Sequence, residues 1–401
     1  MRRFRIGSAF GIPIKVDLTF LLVLPLFAWA ISTQIDQWVD ILNTALGAEI
    51  PVDAFADGSV ALLVGLLAVL GLFAGVVVHE LGHSVVALRY GVPISSITLW
   101  IFGGIAQLEE MPEDWRTEFA IAIAGPIVSV ALGVATYGVF LAVPAGDSVT
   151  RAGIRFLLGY LAVINVILAG FNLLPGFPMD GGRILRALLA RTRPYARATE
   201  IAAEVGKVFA IVLGLYGLFG GGGLFLVAIA FFIYIGAAGE AQQTVMKAAF
   251  EGVVVRDVMT AADRVTTVEA DLSVAELIDV MFRERHTGYP VIRDDEIVGL
   301  VTLEDARAVR EVEREAYRVE EVMTTELYTV APDADVMSAL AEMDGENVGR
   351  LLVMDDDEFV GLLTRTDIMS ALSIIKSSGR YDAGPGRPTA EPDVYRPEDS
   401  R

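Results

Sequence analysis

Six stretches of this chain, at about 18–32, 60–90, 117–143, 153–173, 199–219 and 223–238, are apolar on the scale of a bilayer crossing. They constrain the fold more than any other feature. In hydrocarbon every backbone polar group must be satisfied internally, so these runs predict α-helices. The fold expected is a polytopic α-helical membrane domain with a small β hairpin near its centre, followed by a soluble α/β module. Charge follows the same division. Of the net charge of −20, residues 251–401 carry −18, leaving a nearly neutral first part.

Within the second run lies Val78-His79-Glu80-Leu81-Gly82-His83. Histidines four apart share one face of a helix, so both imidazoles can reach one ion. Glu80 projects beside that ion without having to bind it. This is the H-E-x-x-H pattern, in which two His hold zinc and the Glu handles the proton of an attacking water. The chain has only three His, and two form this pair beside membrane-length sequence, where ionisable groups are costly and usually functional. There are no cysteines, so a metal must rely on His, Asp and Glu.

Arg2, Arg3 and Arg5 precede the first run. Ala28-Trp29-Ala30 resembles a leader cleavage site, but Phe10-Gly11-Ile12-Pro13-Ile14 predicts a turn and short strand, which favours a retained span. Residues 34–58 carry five acidic and no basic residues and are expected to form an external loop. Ile94 to Gln107 is β-rich around Gly103-Gly104 and predicts a hairpin, ended by Met111-Pro112. After the fourth run, Asn172-Leu173-Leu174-Pro175-Gly176-Phe177-Pro178-Met179-Asp180-Gly181-Gly182 breaks the helix. Arg183, Arg186, Arg191, Arg193 and Arg197 follow and mark the inner side, which puts both termini inside. A catalytic zinc keeps three protein ligands, and Asp180 is the candidate third. An equally local reading makes Asp180 the N-cap of a helix over 181–191. Pro175 and Pro178 are helix breakers on the same terms, and Asn172 a helix C-cap.

From 251 the pattern turns soluble. Val255-Arg256-Asp257-Val258-Met259-Thr260 recurs as Val319-Glu320-Glu321-Val322-Met323-Thr324, and Val298-Gly299-Leu300-Val301-Thr302 recurs as Val360-Gly361-Leu362-Leu363-Thr364. Two copies of one unit are present. The boundaries expected are a membrane domain 1–240, a linker 241–252, the paired repeats 253–376 and a disordered tail 377–401. Lysine is scarce and the soluble half acidic, which suits a salt-rich cytosol and argues against nucleic acid as a partner.

The H-E-L-G-H segment and the Asn172–Gly182 segment together resemble the site-2 protease family of intramembrane zinc metalloproteases. Gly11-Ile12-Pro13, Phe102-Gly103-Gly104 and Gly125-Pro126 match as well, so the resemblance covers about residues 1–240. It implies one zinc on His79, His83 and Asp180, with Glu80 as base. It also implies a substrate site in which Asn172 and Pro175 meet the substrate backbone and the hairpin at Gly103 and Gly104 receives it as a strand. One departure is Ser129, where the family often has Asn. The second half resembles a tandem CBS-domain pair, a module that often binds adenine nucleotides (ATP, ADP or AMP). There Thr302, Asp305, Thr364 and Asp367 match the phosphate- and ribose-contacting ends.

These resemblances imply a multi-pass endopeptidase of the cell membrane that cleaves transmembrane segments, with a cytosolic CBS pair that regulates it and suits homodimerisation. The rival readings are a CBS-regulated channel or transporter, and an inactive homologue that only binds membrane partners. A channel predicts paired charges along several spans, whereas the ionisable groups here concentrate at one motif.

Overall fold

A computed structural model describes residues 3–100, 103–108, 113–294, 296–356 and 358–377. The expected tail beyond Ser377, together with Phe102 and Met111-Pro112, lies outside the described residues. Contacts divide the chain into two units, Met1–Thr244 and Val245–Arg401.

The first unit opens with an antiparallel hairpin, β1 (Arg3–Ala9) and β2 (Ile12–Asp17). Phe10 and Gly11 both have positive φ (52° and 82°), the backbone that a two-residue hairpin turn of the favoured hand requires. The turn and β2 match the sequence reading, whereas β1 was not expected. Asp17 then caps α1 (Leu18–Thr33), its carboxylate accepting from the Thr19 N–H at 3.0 Å.

Helix α1 has 16 residues and bends by 66° into α2 (Ile35–Leu46). The expected external loop at 34–58 is therefore largely structured, with a further 3-10 turn at Val52–Phe55. The reason is local amphipathicity. Ile35, Val39 and Leu42 fall on one face and are buried, while Asp36 and Asp40 face outward.

Helix α3 (Gly58–Arg89) has 32 residues, about 48 Å at 1.5 Å rise per residue. Leu62, Leu63, Leu66, Leu67 and Leu70 are exposed along it, a surface suited to lipid rather than water. Its buried stripe runs through Ala61, Val64, Ala68, Phe73 and Val76 and continues into His79 and His83. The same periodicity that packs the helix thus turns both imidazoles inward.

Strands β3 (Ile94–Trp100) and β4 (Gly103–Leu108) complete a sheet of order β1-β2-β3-β4. Trp100 pairs with Gly103 and Leu99 with Gly104, so the two glycines stand in β4 itself. Among the described residues β4 is an edge strand.

Four more long helices and one short one follow: α4 (Trp115–Ala142), α5 (Val149–Asn172), α6 (Asp180–Ala190), α7 (Tyr195–Phe219) and α8 (Gly223–Ala249). By length and composition α3, α4, α5, α7 and α8 can cross a membrane, and the bent α1–α2 pair would make a sixth span.

The second unit contains two copies of one motif. The first runs through α9 (Val255–Val258), β5 (Thr260–Ala261), β6 (Val268–Glu269), α10 (Val274–Glu284), β7 (Gly288–Arg293), β8 (Glu296–Thr302) and α11 (Leu303–Ala308). The second runs through α12 (Val319–Val322), β9 (Thr329–Val330), α13 (Val336–Gly345), β10 (Arg350–Asp355), β11 (Glu358–Thr364) and α14 (Arg365–Ser377). The two sheets are ordered β6-β7-β8 and β5-β11-β10-β9. β5, which leads the first copy, pairs with β11 of the second, and Thr324, from the lead of the second, bridges Leu300 of the first. Each copy lends its leading segment to the other's sheet, so the repeats fold as a pair.

Candidate metal centre

His79 and His83 stand one turn apart on α3 with their Nε2 atoms 3.1 Å from each other. Asp180 Oδ2 lies 3.2 Å from each Nε2. Asp180 is the first residue of α6, and the cap position is taken by Met179 without a side-chain bond. Its carboxylate is turned toward the two imidazoles rather than toward the helix end. All three side chains are buried.

The far nitrogens of both rings are engaged. His83 Nδ1 lies 2.7 Å from the Ile121 carbonyl oxygen. A carbonyl only accepts, so Nδ1 carries the proton and Nε2 keeps its lone pair for a ligand. His79 Nδ1 lies 2.8 Å from Ser129 Oγ. Both partners come from α4, and they fix the two rings in the way that outer partners of metal-binding histidines do.

The donor set suits zinc. Tetrahedral ligands about 2.0–2.1 Å from an ion lie roughly 3.3 Å apart, close to the three spacings observed. Two imidazole lone pairs and one carboxylate oxygen, with no thiolate, complete the kind of three-ligand set that leaves one position open.

Close backbone approach makes the arrangement possible. A methyl group on Gly125 of α4 would lie 2.2 Å from His83 Nε2 and 2.6 Å from His79 Nε2. One on Gly182 would lie 2.6 Å from the Gly176 carbonyl carbon, so the segment before α6 can fold over that helix's first turn only if the position is glycine.

Glu80 follows His79 directly. A methyl group on Gly104 would lie 2.7 Å from Glu80 Cγ and 3.1 Å from Val76 Cγ1. The edge strand β4 therefore runs against the turn of α3 that carries Glu80. Asn172 is the last residue of α5, its Nδ2 donating to the Leu168 carbonyl at 2.9 Å, with Leu173 as the cap residue. Pro175 is exposed in the following segment. Arg186, counted above with an inner basic cluster, is only 1% exposed.

In the second unit Thr302 and Asp305 close a capping box. Asp305 Oδ2 accepts from the Thr302 N–H at 2.8 Å and from its hydroxyl at 2.7 Å. Thr364 and Asp367 repeat this at 2.9 and 2.7 Å. The copies differ at Gly288, whose counterpart 62 residues on is Arg350. The Arg350 guanidinium fills the space a side chain at Gly288 would take. Burial lowers its pKa below the ordinary value, against the opposing pull of Asp305.

Comparison with known proteins places both units. Residues 67–146 and 141–213 match Peptidase family M50, and residues 255–311 and 319–374 match the CBS domain. A zinc metalloprotease of Methanocaldococcus jannaschii is 35% identical over 305 residues, 76% of this chain and 84% of the relative. The chain belongs to peptidase family M50. It is a zinc metalloprotease whose helical membrane domain is joined to tandem CBS domains. The putative zinc metalloprotease Rip3 of Mycobacterium tuberculosis is 34% identical to this M50 chain and matches 92% of it and 93% of Rip3. The solved site-2 protease of M. jannaschii is 33% identical over 60% of this chain and 95% of that one, with a TM-score of 0.40.

Three contributors to this M50 centre escaped the sequence reading or were left in doubt there. Ser129 is one, since a serine at a position where Asn is common carries no sign of its partner. The Ile121 carbonyl belongs to the backbone and has no sequence signature. Gly125 was visible beside Pro126, but its contact with both imidazoles depends on how α3 and α4 cross.

Proposed function

We propose that this protein is an intramembrane endopeptidase that cleaves transmembrane segments of membrane proteins, with Glu80 as general base and one zinc held by His79, His83 and Asp180. The reading rests on the convergence of His79 Nε2, His83 Nε2 and Asp180 Oδ2 within 3.1–3.2 Å of one another, beside Glu80. Zinc bound there supplies a Lewis acid and brings the pKa of a water to about 7. Glu80 takes the proton of the attacking water as its oxygen bonds to the scissile carbonyl carbon. Glu80 then gives that proton to the departing amine as the C–N bond breaks.

A transmembrane helix hides its amides in its own hydrogen bonds, so a substrate must unwind before it is cut. The outer edge of β4 among the described residues, lying against Glu80 at Gly104, would offer replacement partners to an extended segment by strand addition. Gly103 would pair within that edge, and Asn172 and Pro175 would meet the substrate from the other side. Arginines at the start of the chain and around α6 favour placing both termini, and a CBS module at about 253–376, in the cytosol, with the expected 241–252 linker made of the last turns of α8 and the three residues after it. The acidic, Lys-poor module suits high salt.

The decisive experiment compares wild type with Glu80→Gln on a membrane-embedded substrate. Fragments that appear only with wild type, while both proteins hold one zinc, support the reading. Equal cleavage by both removes Glu80 as base.

Adenine nucleotide at Thr302, Asp305, Thr364 and Asp367 would then modulate access to the centre. A coupling of about 1–3 kcal/mol changes activity roughly 5–150-fold if activity tracks an open state. Cleavage rates with and without ATP, ADP or AMP at high salt test this. Measurable nucleotide binding with an unchanged rate leaves the module a structural or dimerising role.

A further inference from the structure

The Arg186 guanidinium is buried among groups from three other helices and one connecting segment. Its Nε donates to Glu118 Oε1 at 2.7 Å, and its Nη2 lies 2.5 Å from the same oxygen. Its Nη1 reaches Glu240 Oε1 at 2.7 Å. The guanidinium carbon stands 5.0 Å over the Phe177 ring and 4.8 Å over the Tyr195 ring. Arg186 and Glu118 are each 1% exposed. Two charges withdrawn from water this far are costly to keep, and such groups are often retained for what they fix in place.

What this pair fixes is specific. Arg186 lies on α6, the helix that Asp180 opens, and Phe177 belongs to the segment leading into Asp180. Glu118 lies on α4, three residues before Ile121, whose carbonyl orients His83. The same helix supplies Ser129 to His79 and the close approach at Gly125. Glu240 adds α8 to the same guanidinium.

We propose that Arg186, through Glu118, is a positioning residue that holds the Asp180 carboxylate in register with the two imidazoles. It touches neither substrate nor metal. It joins the helix that carries the carboxylate to the helix that orients both histidines, and rests on the three-residue reading of the centre given above. The planar fork matters, because two nitrogens meet one carboxylate while a third meets another.

A second buried arginine provides the control. Arg155 is 8% exposed, donates to the Ala48 and Val143 carbonyls and stacks on Phe140, away from the three metal-binding side chains. The experiment measures the zinc dissociation constant by competition with a chromophoric chelator, on full-length protein in detergent. The variants are Arg186→Met, Arg186→Lys, Glu118→Gln, Arg155→Met and Asp180→Ala. Thermal melting and steady-state kinetics accompany each.

Arg186→Met and Glu118→Gln are expected to weaken zinc by about tenfold, the low end for lost outer partners, with kcat falling more than KM changes. Arg186→Lys should fall between them and wild type. Arg155→Met should melt earlier yet bind zinc as wild type does, which separates positioning from stability. If Arg186→Met does not fold, Glu118→Gln and Arg186→Lys decide the matter. Wild-type zinc affinity in the folded Arg186 and Glu118 variants, with affinity lost in Asp180→Ala, overturns this proposal alone. Wild-type affinity in Asp180→Ala overturns the three-residue centre and this proposal with it.

Discussion

Asp180 in the protease unit and Asp305 and Asp367 in the CBS unit each stand in the first turn of a helix, and they are used in opposite ways. Asp305 and Asp367 bond the residue three before them, closing capping boxes with Thr302 and Thr364. Asp180 meets imidazoles 97 and 101 residues away. The first two serve the helix they stand on. The third faces a shared centre instead. A carboxylate that forgoes the capping bond its position invites, and is buried against histidines instead, is held there by tertiary structure.

The largest expected effect tests that contrast directly. Asp180→Ala should weaken zinc by more than about 100-fold, since loss of even an outer partner costs 10–100-fold. Asp367→Ala should cost the CBS unit about 1 kcal/mol of stability, as lost caps do, and leave the zinc constant unchanged. Equal zinc binding by Asp180→Ala and Asp367→Ala would erase the distinction.

A second test works within one helix. Gly125→Ala places a methyl group against both imidazoles, and the zinc constant should rise by roughly 10–100-fold as the rings are displaced. Gly138→Ala, also on α4, meets nothing within 4 Å and should leave zinc binding as it is. A harmless Gly125→Ala would mean that α3 and α4 cross less closely than described.

Ser129→Ala should have a smaller effect. It removes the partner of His79 Nδ1 but leaves the ligand atom, so zinc weakens by about tenfold. Ser129→Asn restores a side-chain partner and should recover part of the loss. Chelator competition on the same preparations reads all of these.

The smallest effect belongs to the CBS unit and is read by pH. The Ser273 hydroxyl and then its backbone N–H hold the Glu276 carboxyl below its ordinary pKa. A depressed carboxyl contributes stability above its unfolded pKa of about 4.3, lost as pH falls through the folded value. Glu276→Gln should therefore lower the melting temperature near neutrality and flatten its decline in acid. An unchanged acid limb would show that this cap contributes nothing measurable.

Much of the centre is legible in the sequence alone. Two histidines at a helical spacing of four must share a face, whatever the helix packs against. The CBS pair was legible for another reason, since a motif repeated 62–64 residues later has to fold twice in the same way. The segment at 34–58 was misjudged because acidic composition was weighed above the buried face of Ile35, Val39 and Leu42. Arg186 was read only as one of a basic cluster that marks the inner side, and the structure buries it between Glu118 and Glu240.

By itself, then, the sequence determined the elements whose rules are local: the apolar helices, the imidazole pair, the repeated strands and the capping boxes. The tertiary structure decided which way Asp180 turns, that Ser129 meets His79, that β4 lies against Glu80, and that Arg186 joins α6 to α4. The reason is range. Helical periodicity and caps act over three or four residues, whereas these contacts link groups 24 to 101 residues apart. Such pairings follow from how helices pack, and no short stretch of sequence records that.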